Sequence, residues 1–407
     1  MGEESNHNCA TVGDAVTVPT EANGKLTASP TEPIRHIYVH IPFCARICPY
    51  CAFYKELLDR SRSQAFCQAL LRELRQHGQD PPAFAWPAAG RHLLPSTIYF
   101  GGGTPSALRT SQLEFLLRGF RESLDLSGLR EWTLEANPGS VSARKAALLR
   151  ELGINRISLG VQSWDDALLK LLGREHDAGQ AVDSYQTLRR AGFSNINIDL
   201  MFGLPGQTMA QWRSTLQQTL ALRPEHISTY CLTYEEDTEF FRRHARGELR
   251  VDPDADAELL EMTMSILQEA GYVHYEISNY ARPGFESLHN RAYWSGEDYL
   301  GIGPSAFSTQ GMERWQNVCD YRTYAERVLC DQSPIASVEH LTAQMRRIER
   351  IALGLRTREG VPAELLAGQP GRINEVMALG LLHQSNGNFT LTDKGKSLAD
   401  SVAEILA

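Results

Sequence analysis

Three cysteines, Cys44, Cys48 and Cys51, fall within eight positions of the segment YVHIPFCARICPYCAFY, residues 38–54. Thiols this close together can hold a metal centre, form a redox pair beside a bystander, or line one face of a helix. Spacing i, i+4, i+7 would align them on a helical face. The prolines exclude that reading: Pro49 would clash with the carbonyl of residue 45 and drives Cys48 out of the α region, and Pro42 adds a second break. The segment is predicted to be a loop following a strand that ends near His40. A structural zinc site takes four protein ligands, and no matching pair follows. A Cys-x-x-Cys redox motif uses Cys48 and Cys51 but leaves Cys44 without a role. Three thiolates suit a [4Fe–4S] cluster with one iron open to a cofactor or substrate; zinc and redox chemistry stay as the alternatives.

Other residues carry chemistry of their own. GGGTPS, 101–106, follows a predicted strand, and its glycines let backbone approach a ligand. LEANPGS places Glu135 at a strand end, where a carboxylate is costly to bury without a partner. Asp199 lies inside the apolar NINIDLMF and needs a partner, and Arg174 of LLGREH is a candidate for a purely structural pair with it. Gln162 sits just past the strand RISLGV. LHNRAYW, 288–294, sets His289 and Asn290 beside Tyr293 and Trp294. A histidine among aromatics can ligate heme iron while the rings pack on the porphyrin; the plain alternative is a loop histidine near core aromatics. Cys9, Cys67, Cys231, Cys319 and Cys330 show no ligand spacing, and Cys231, in an apolar strand, reads as core.

Positioning these groups requires a scaffold, and its period is legible. Strands are predicted at 34–41, 96–100, 131–136, 156–161, 195–202 and 226–233. Helices are predicted at 61–76, 110–124, 141–151, across 164–191, at 207–221 and at 254–270. The strands are short, apolar and rich in β-branched residues, as buried parallel strands are. Six βα units in sequence predict an α/β fold, a partial (β/α)6 TIM-type barrel, with a doubly wound open sheet as the alternative. The barrel domain spans 34–310, followed by a linker over 311–340. Residues 341–407 form a small α-rich, winged-helix-like domain: two helices, a short hairpin and a last helix. Residues 1–33 show neither period and read as a disordered leader.

The 407 residues, 42% hydrophobic and 22% charged, are globular in composition. A net charge of −9 argues against nucleic-acid binding, and the C-terminal domain is nearly balanced in charge. No signal peptide and no apolar run long enough to span a membrane is visible. A thiol-reducing cytoplasm is the expected location.

Cys-x3-Cys-x2-Cys after a first barrel strand resembles the radical S-adenosylmethionine (SAM) enzymes. Residues 35–310 and the tail from about 340 resemble one branch, the HemN/HemW family of coproporphyrinogen dehydrogenases and heme chaperones. The resemblance implies that Cys44, Cys48 and Cys51 hold a [4Fe–4S] cluster whose open iron binds SAM. It implies SAM contacts at Tyr38, Tyr50, Gly102, Gly103, Thr104, Glu135, Gln162, Arg174 and Asp199. It also implies heme contacts at His289, Asn290, Tyr293 and Trp294. The dehydrogenases continue their motif with a fourth cysteine two residues on, where this chain has Phe53, and they carry a folded N-terminal arm. Both differences favour heme chaperones, which deliver heme to an acceptor such as a respiratory heme protein, over porphyrinogen oxidation. Phe307 stands where many such chaperones have histidine.

Overall fold

The computed structural model describes residues 32–78, 86–87 and 92–407. The leader expected at 1–33 therefore lies, but for its last two residues, outside the described residues. Six strands, β1 (Ile34–Ile41), β2 (Leu93–Gly102), β3 (Glu131–Ala136), β4 (Arg156–Gln162), β5 (Ile196–Phe202) and β6 (His226–Cys231), pair in parallel in their sequence order. Helices α1 (Ser63–Gln76), α2 (Thr110–Ser123), α3 (Ala143–Glu151), α4 (Asp166–Leu171), α5 (Ala178–Arg190) and α6 (Met209–Leu222) connect them. Capping residues set the starts of several. Asp177 accepts from the backbone of Gln180 at 2.8 Å and Thr208 from that of Gln211 at 3.2 Å, each with the Gln side chain returning the bond. The expected partial barrel is the observed one. Beyond β6 come α7 (Glu239–Ala245) and α8 (Pro253–Glu269).

The strands are not apolar on both faces. Ile37, Val39, Ile98, Phe100, Trp132, Leu134, Ile157 and Leu159 join the core under the helices. The alternate residues, including His36, Tyr38, Thr97, Tyr99, Glu135 and Asp199, bond to one another across the inner face or border a cavity. The period-2 alternation supplies a polar lumen, because that face meets ligands and not helices.

The sheet also extends past six strands. The hairpin β7 (Val273–Glu276) and β8 (Asn279–Ala281) adds antiparallel to β6. After α9 (Leu288–Trp294), β9 (Leu300–Ile302) pairs in parallel on the outer side of β1.

Residues 311–340, expected as a linker, are folded. β10 (Phe307–Gln310), β11 (Glu313–Asn317) and β12 (Ile335–His340) form an antiparallel sheet, with α10 (Tyr321–Leu329) between the last two. α10 packs on α1, and the buried Glu73 of α1 accepts bonds from Gly303 N (2.8 Å), Asn317 Nδ2 (2.7 Å) and Tyr324. The C-terminal domain has its own core around Ile351, Leu355, Val376 and Val402. It comprises α11 (Ala343–Leu355), α12 (Pro370–Ala378), the hairpin β13 (Leu382–Ser385) and β14 (Asn388–Leu391), a turn of helix α13 (Asp393–Lys396) and α14 (Ala399–Leu406). It docks on the β7 edge through Ile277 N to Arg356 O and Arg358 N to Tyr275 O, both 3.0 Å.

Candidate functional site

The cysteine segment is a loop, as the prolines require. Phe43–Cys44 pairs with Glu56–Leu57, closing the intervening residues into a lobe, and Cys51 N donates to Cys48 O at 3.3 Å. Cys44, Cys48 and Cys51 are free thiols on the wall of a cavity of about 570 Å³ at the C-terminal ends of the barrel strands. Thr104 Oγ1 donates to Cys44 Sγ and Arg174 Nη1 to Cys48 Sγ, each at 3.5 Å. Burial pushes the Cys44 thiol up to about 11, against the bond from Thr104; a bound metal would reverse that, because a coordinating thiol is deprotonated. Among the described residues no three His, Cys, Asp or Glu side chains close on one ion-sized point. The thiols border a space, which fits a cluster whose iron corners stand apart.

Tyr50, Gly102, Gly103, Thr104, Glu135, Gln162, Arg174 and Asp199 line the same cavity. Tyr38 does not: it lies beneath, stacked on Tyr99 with ring centres 6.3 Å apart and its hydroxyl 3.1 Å from His40 Nδ1. The glycines are required for a reason the sequence did not show. A Cβ on Gly103 would stand 2.4 Å from the carbonyl oxygen of Pro42, and one on Gly102, at φ +107°, 2.6 Å from the His40 ring. The loop is pressed onto the end of β1, with Gly103 N donating to Ile41 O and Thr104 N to Phe43 O at 2.8 Å each.

Glu135 accepts from Tyr99 OH at 2.8 Å and Gly102 N at 3.2 Å, and desolvation pushes its carboxyl up to about 7. Arg174 and Asp199 do not pair. Asp199 accepts from Ser158 Oγ (2.9 Å) and Asn197 Nδ2 (2.7 Å). Arg174 Nη2 donates to Asn137 Oδ1 (2.7 Å) and Gly160 O (2.8 Å), while its buried Nε has no partner. Asn137 also donates to Thr104 Oγ1 at 3.1 Å, so one amide joins the side chains that touch Cys44 and Cys48. The sequence reading passed over Asn137. Its position two residues after Glu135, on the same face by strand alternation, was the available signal. Cys231 is not core: it is exposed at the end of β6 and lines this cavity, where the strand runs out into the mouth.

The second constellation gathers around α9. Ser287 caps the helix, accepting from Asn290 N at 3.3 Å, and Glu131 accepts from Leu288 N (2.9 Å) and His289 N (3.1 Å). His289 is 1% exposed, stacked on Tyr99 and met edge-on by Tyr293, with ring centres 5.1 Å away in each case. Its Nδ1 lies 2.7 Å from Thr97 Oγ1. That hydroxyl is 2.9 Å from His36 Nδ1, whose Nε2 is 3.0 Å from Glu297. The His289 Nε2 is buried without a partner, and desolvation lowers the ring to about 3, keeping it neutral.

Asn290, Tyr293 and Trp294 line a second cavity of about 690 Å³; His289 stands behind that wall. Tyr230 lines both cavities, so a single side chain borders each. Among the described residues, no helix is long and apolar enough to cross a membrane.

Known proteins are similar to this chain in sequence and fold. Residues 38–219 match the radical SAM superfamily model. The heme chaperone HemW of Lactococcus lactis is 38% identical over 90% of this chain and 96% of its own. The heme chaperone HemW of Escherichia coli is 33% identical over 91% and 97%. The solved coproporphyrinogen III oxidase HemN from Escherichia coli, described as a radical SAM enzyme, superposes with a TM-score of 0.77 at 24% identity, covering 93% of this chain and 91% of that one.

Proposed function

The chain belongs to the radical SAM superfamily and, within it, to the HemW family of heme chaperones, and from that premise we propose how its two cavities divide the work. The first cavity holds a [4Fe–4S] cluster on Cys44, Cys48 and Cys51. It holds SAM against the Gly102–Gly103 backbone, Thr104, Tyr50, Glu135, Gln162, Arg174 and Asp199, with Tyr38 supporting Tyr99 from below. The unpartnered Arg174 Nε and the half-used lone pairs of Glu135 supply a donor and an acceptor for that occupant. When bound, the cluster and SAM supply the redox chemistry, and the chain supplies placement.

The second cavity receives heme as cargo, to be passed to an acceptor protein. Its volume lies within the range of small-molecule pockets, and Tyr293, Trp294 and Tyr299 offer rings to a flat macrocycle. His289 is the proposed iron ligand, reached past Tyr293. The observation that carries this role is the buried, neutral, unpartnered Nε2, whose ring is oriented through Nδ1 by Thr97.

Anaerobic reconstitution followed by heme titration tests the assignment. The expected product carries both cluster absorption and a Soret band. Cys51→Ala should abolish the cluster absorption without unfolding the barrel. His289→Ala should weaken heme binding and shift the Soret band; an unchanged spectrum and affinity would reject His289 as ligand. Sustained protoporphyrinogen formation from coproporphyrinogen III with SAM and reductant would replace the chaperone reading with that of a dehydrogenase.

A further inference from the structure

The wall of the second cavity opposite α9 is built by parts of the chain that carry no recognised motif. Arg314 comes from β11, Arg346 and Glu349 come from α11 of the C-terminal domain, and Arg356 caps the C-terminal end of α11. Glu349 sits between two of these arginines, 2.7 Å from Arg314 Nη1 and 3.6 Å from Arg346 Nη1. Neither arginine is saturated by it. Arg314 also donates from Nε to Thr309 Oγ1 at 3.2 Å and reaches Glu339 at 3.6 Å, which leaves its Nη2 for a further acceptor. Arg346 is completed by Asp298 at 3.7 Å and Gly296 O at 3.1 Å. Their side chains are 26% and 20% exposed, which places them at the rim and not in the floor. Arg356 lies 5.5 Å over the Trp294 ring with its Nε unpartnered, and Asn279 Oδ1 and Trp294 Nε1 nearby also lack partners.

Two guanidinium forks facing an aromatic cleft, held together by one internal carboxylate, are suited to a flat ligand that bears carboxylates of its own. We propose that Arg314 and Arg346 form a clamp for the two propionate groups of a tetrapyrrole, and that Glu349 is the internal carboxylate which those groups displace. The inference rests on the reading of this cavity as the heme site. It adds what selects the ligand and what lets it go. Binding exchanges one arginine–carboxylate contact for another, so the charge-assisted bonds are largely conserved and the net gain is small. Return of Glu349 to the two arginines accompanies release. The C-terminal domain thereby contributes part of the wall of the cargo site, although none of its residues touches the cluster cavity. The other acids of this wall are engaged elsewhere: Glu276 by Ser278 N and Asn279, and Glu297 by His36.

The test compares heme with heme dimethyl ester, which keeps the ring and iron but cannot form the charged contacts. It uses the full chain and the variants Arg346→Gln, Arg314→Gln and Glu349→Gln, with cluster absorption as the control for folding. The wild type should bind heme about three- to tenfold more tightly than the ester, as a small net gain implies. Either arginine substitution should remove most of that preference by weakening heme alone. Glu349→Gln should tighten heme several-fold and slow its dissociation, leaving the ester unchanged. Equal binding of heme and ester by the wild type would overturn the clamp while leaving the heme reading intact. Weaker heme binding by Glu349→Gln would overturn the displacement step. Absence of heme binding by the wild type would overturn the proposed function and the clamp together.

Discussion

Asn137 shows how one side chain can align two thiols without touching either. Its amide bonds Thr104 on one side and Arg174 on the other, and these in turn reach Cys44 and Cys48. Asn137→Ala should therefore leave the cluster absorption in place but weaken SAM binding about tenfold, as expected for loss of a bond to a charged partner. The change that SAM induces in the cluster's electron paramagnetic resonance spectrum, titrated against concentration, checks this. An unaltered midpoint would show that Arg174 and Thr104 hold their places unaided. The looped course of the cysteine segment was legible at this scale because proline geometry leaves few options, and the partnering of Glu135 because a strand-end acid needs a partner. The partner of Arg174 was not legible. Pairing it with Asp199 matched opposite charges, whereas the fold hands Asp199 to Ser158 and Asn197 on neighbouring strand positions.

Elements explain what the residues cannot. Glu73 ties α1 to β11 and α10 through three donors, and desolvation still lifts its carboxyl to about 7. A raised carboxyl favours the protonated folded form. Its contribution is complete below the ordinary value of 4.5 and is lost as pH rises from there through about 7. Glu73→Gln should flatten the pH dependence of stability in that window, removing on the order of 2–3 kcal/mol of slope relative to wild type. Denaturant midpoints at pH 5 and pH 8 for both proteins check it; parallel profiles would show that the carboxyl titrates normally. The six βα units were readable because each strand is long enough for its period to register. β7, β8 and β9 have three or four residues, below what alternation can signal. The supposed linker hid a sheet whose last strand, β12, is almost wholly exposed, with Trp315 of β11 and Tyr321 and Tyr324 of α10 buried beside it.

At the scale of the whole molecule, the two cavities meet at Tyr230 but are walled by different lengths of chain. Their occupants should protect different amides. At ligand concentrations about a hundredfold above Kd, heme should slow local hydrogen exchange in α9 and α11 by roughly a hundredfold. SAM should slow it instead around residues 101–104 and 135–140. Exchange measured by mass spectrometry on the cluster-loaded protein checks this; heme protection confined to α9 would remove α11 from the site. The second cavity could not be foreseen as a whole, because its wall draws on strands and helices from Tyr230 to Arg356 that no single motif connects.

That distribution has a consequence for synthesis. The walls of the first cavity are complete once the chain has reached Glu235, whereas the second has no closed outline until Arg356 has been made. Helix α9, seven residues long, cannot hold its shape alone and depends on Ser287 and on Glu131, translated far earlier. Domains emerge from the ribosome N-terminus first. A nascent chain thus carries every lining residue of its cysteine cavity while the second cavity still lacks part of its wall, and a ligand that needs the whole of that wall should bind only after Arg356 has been made.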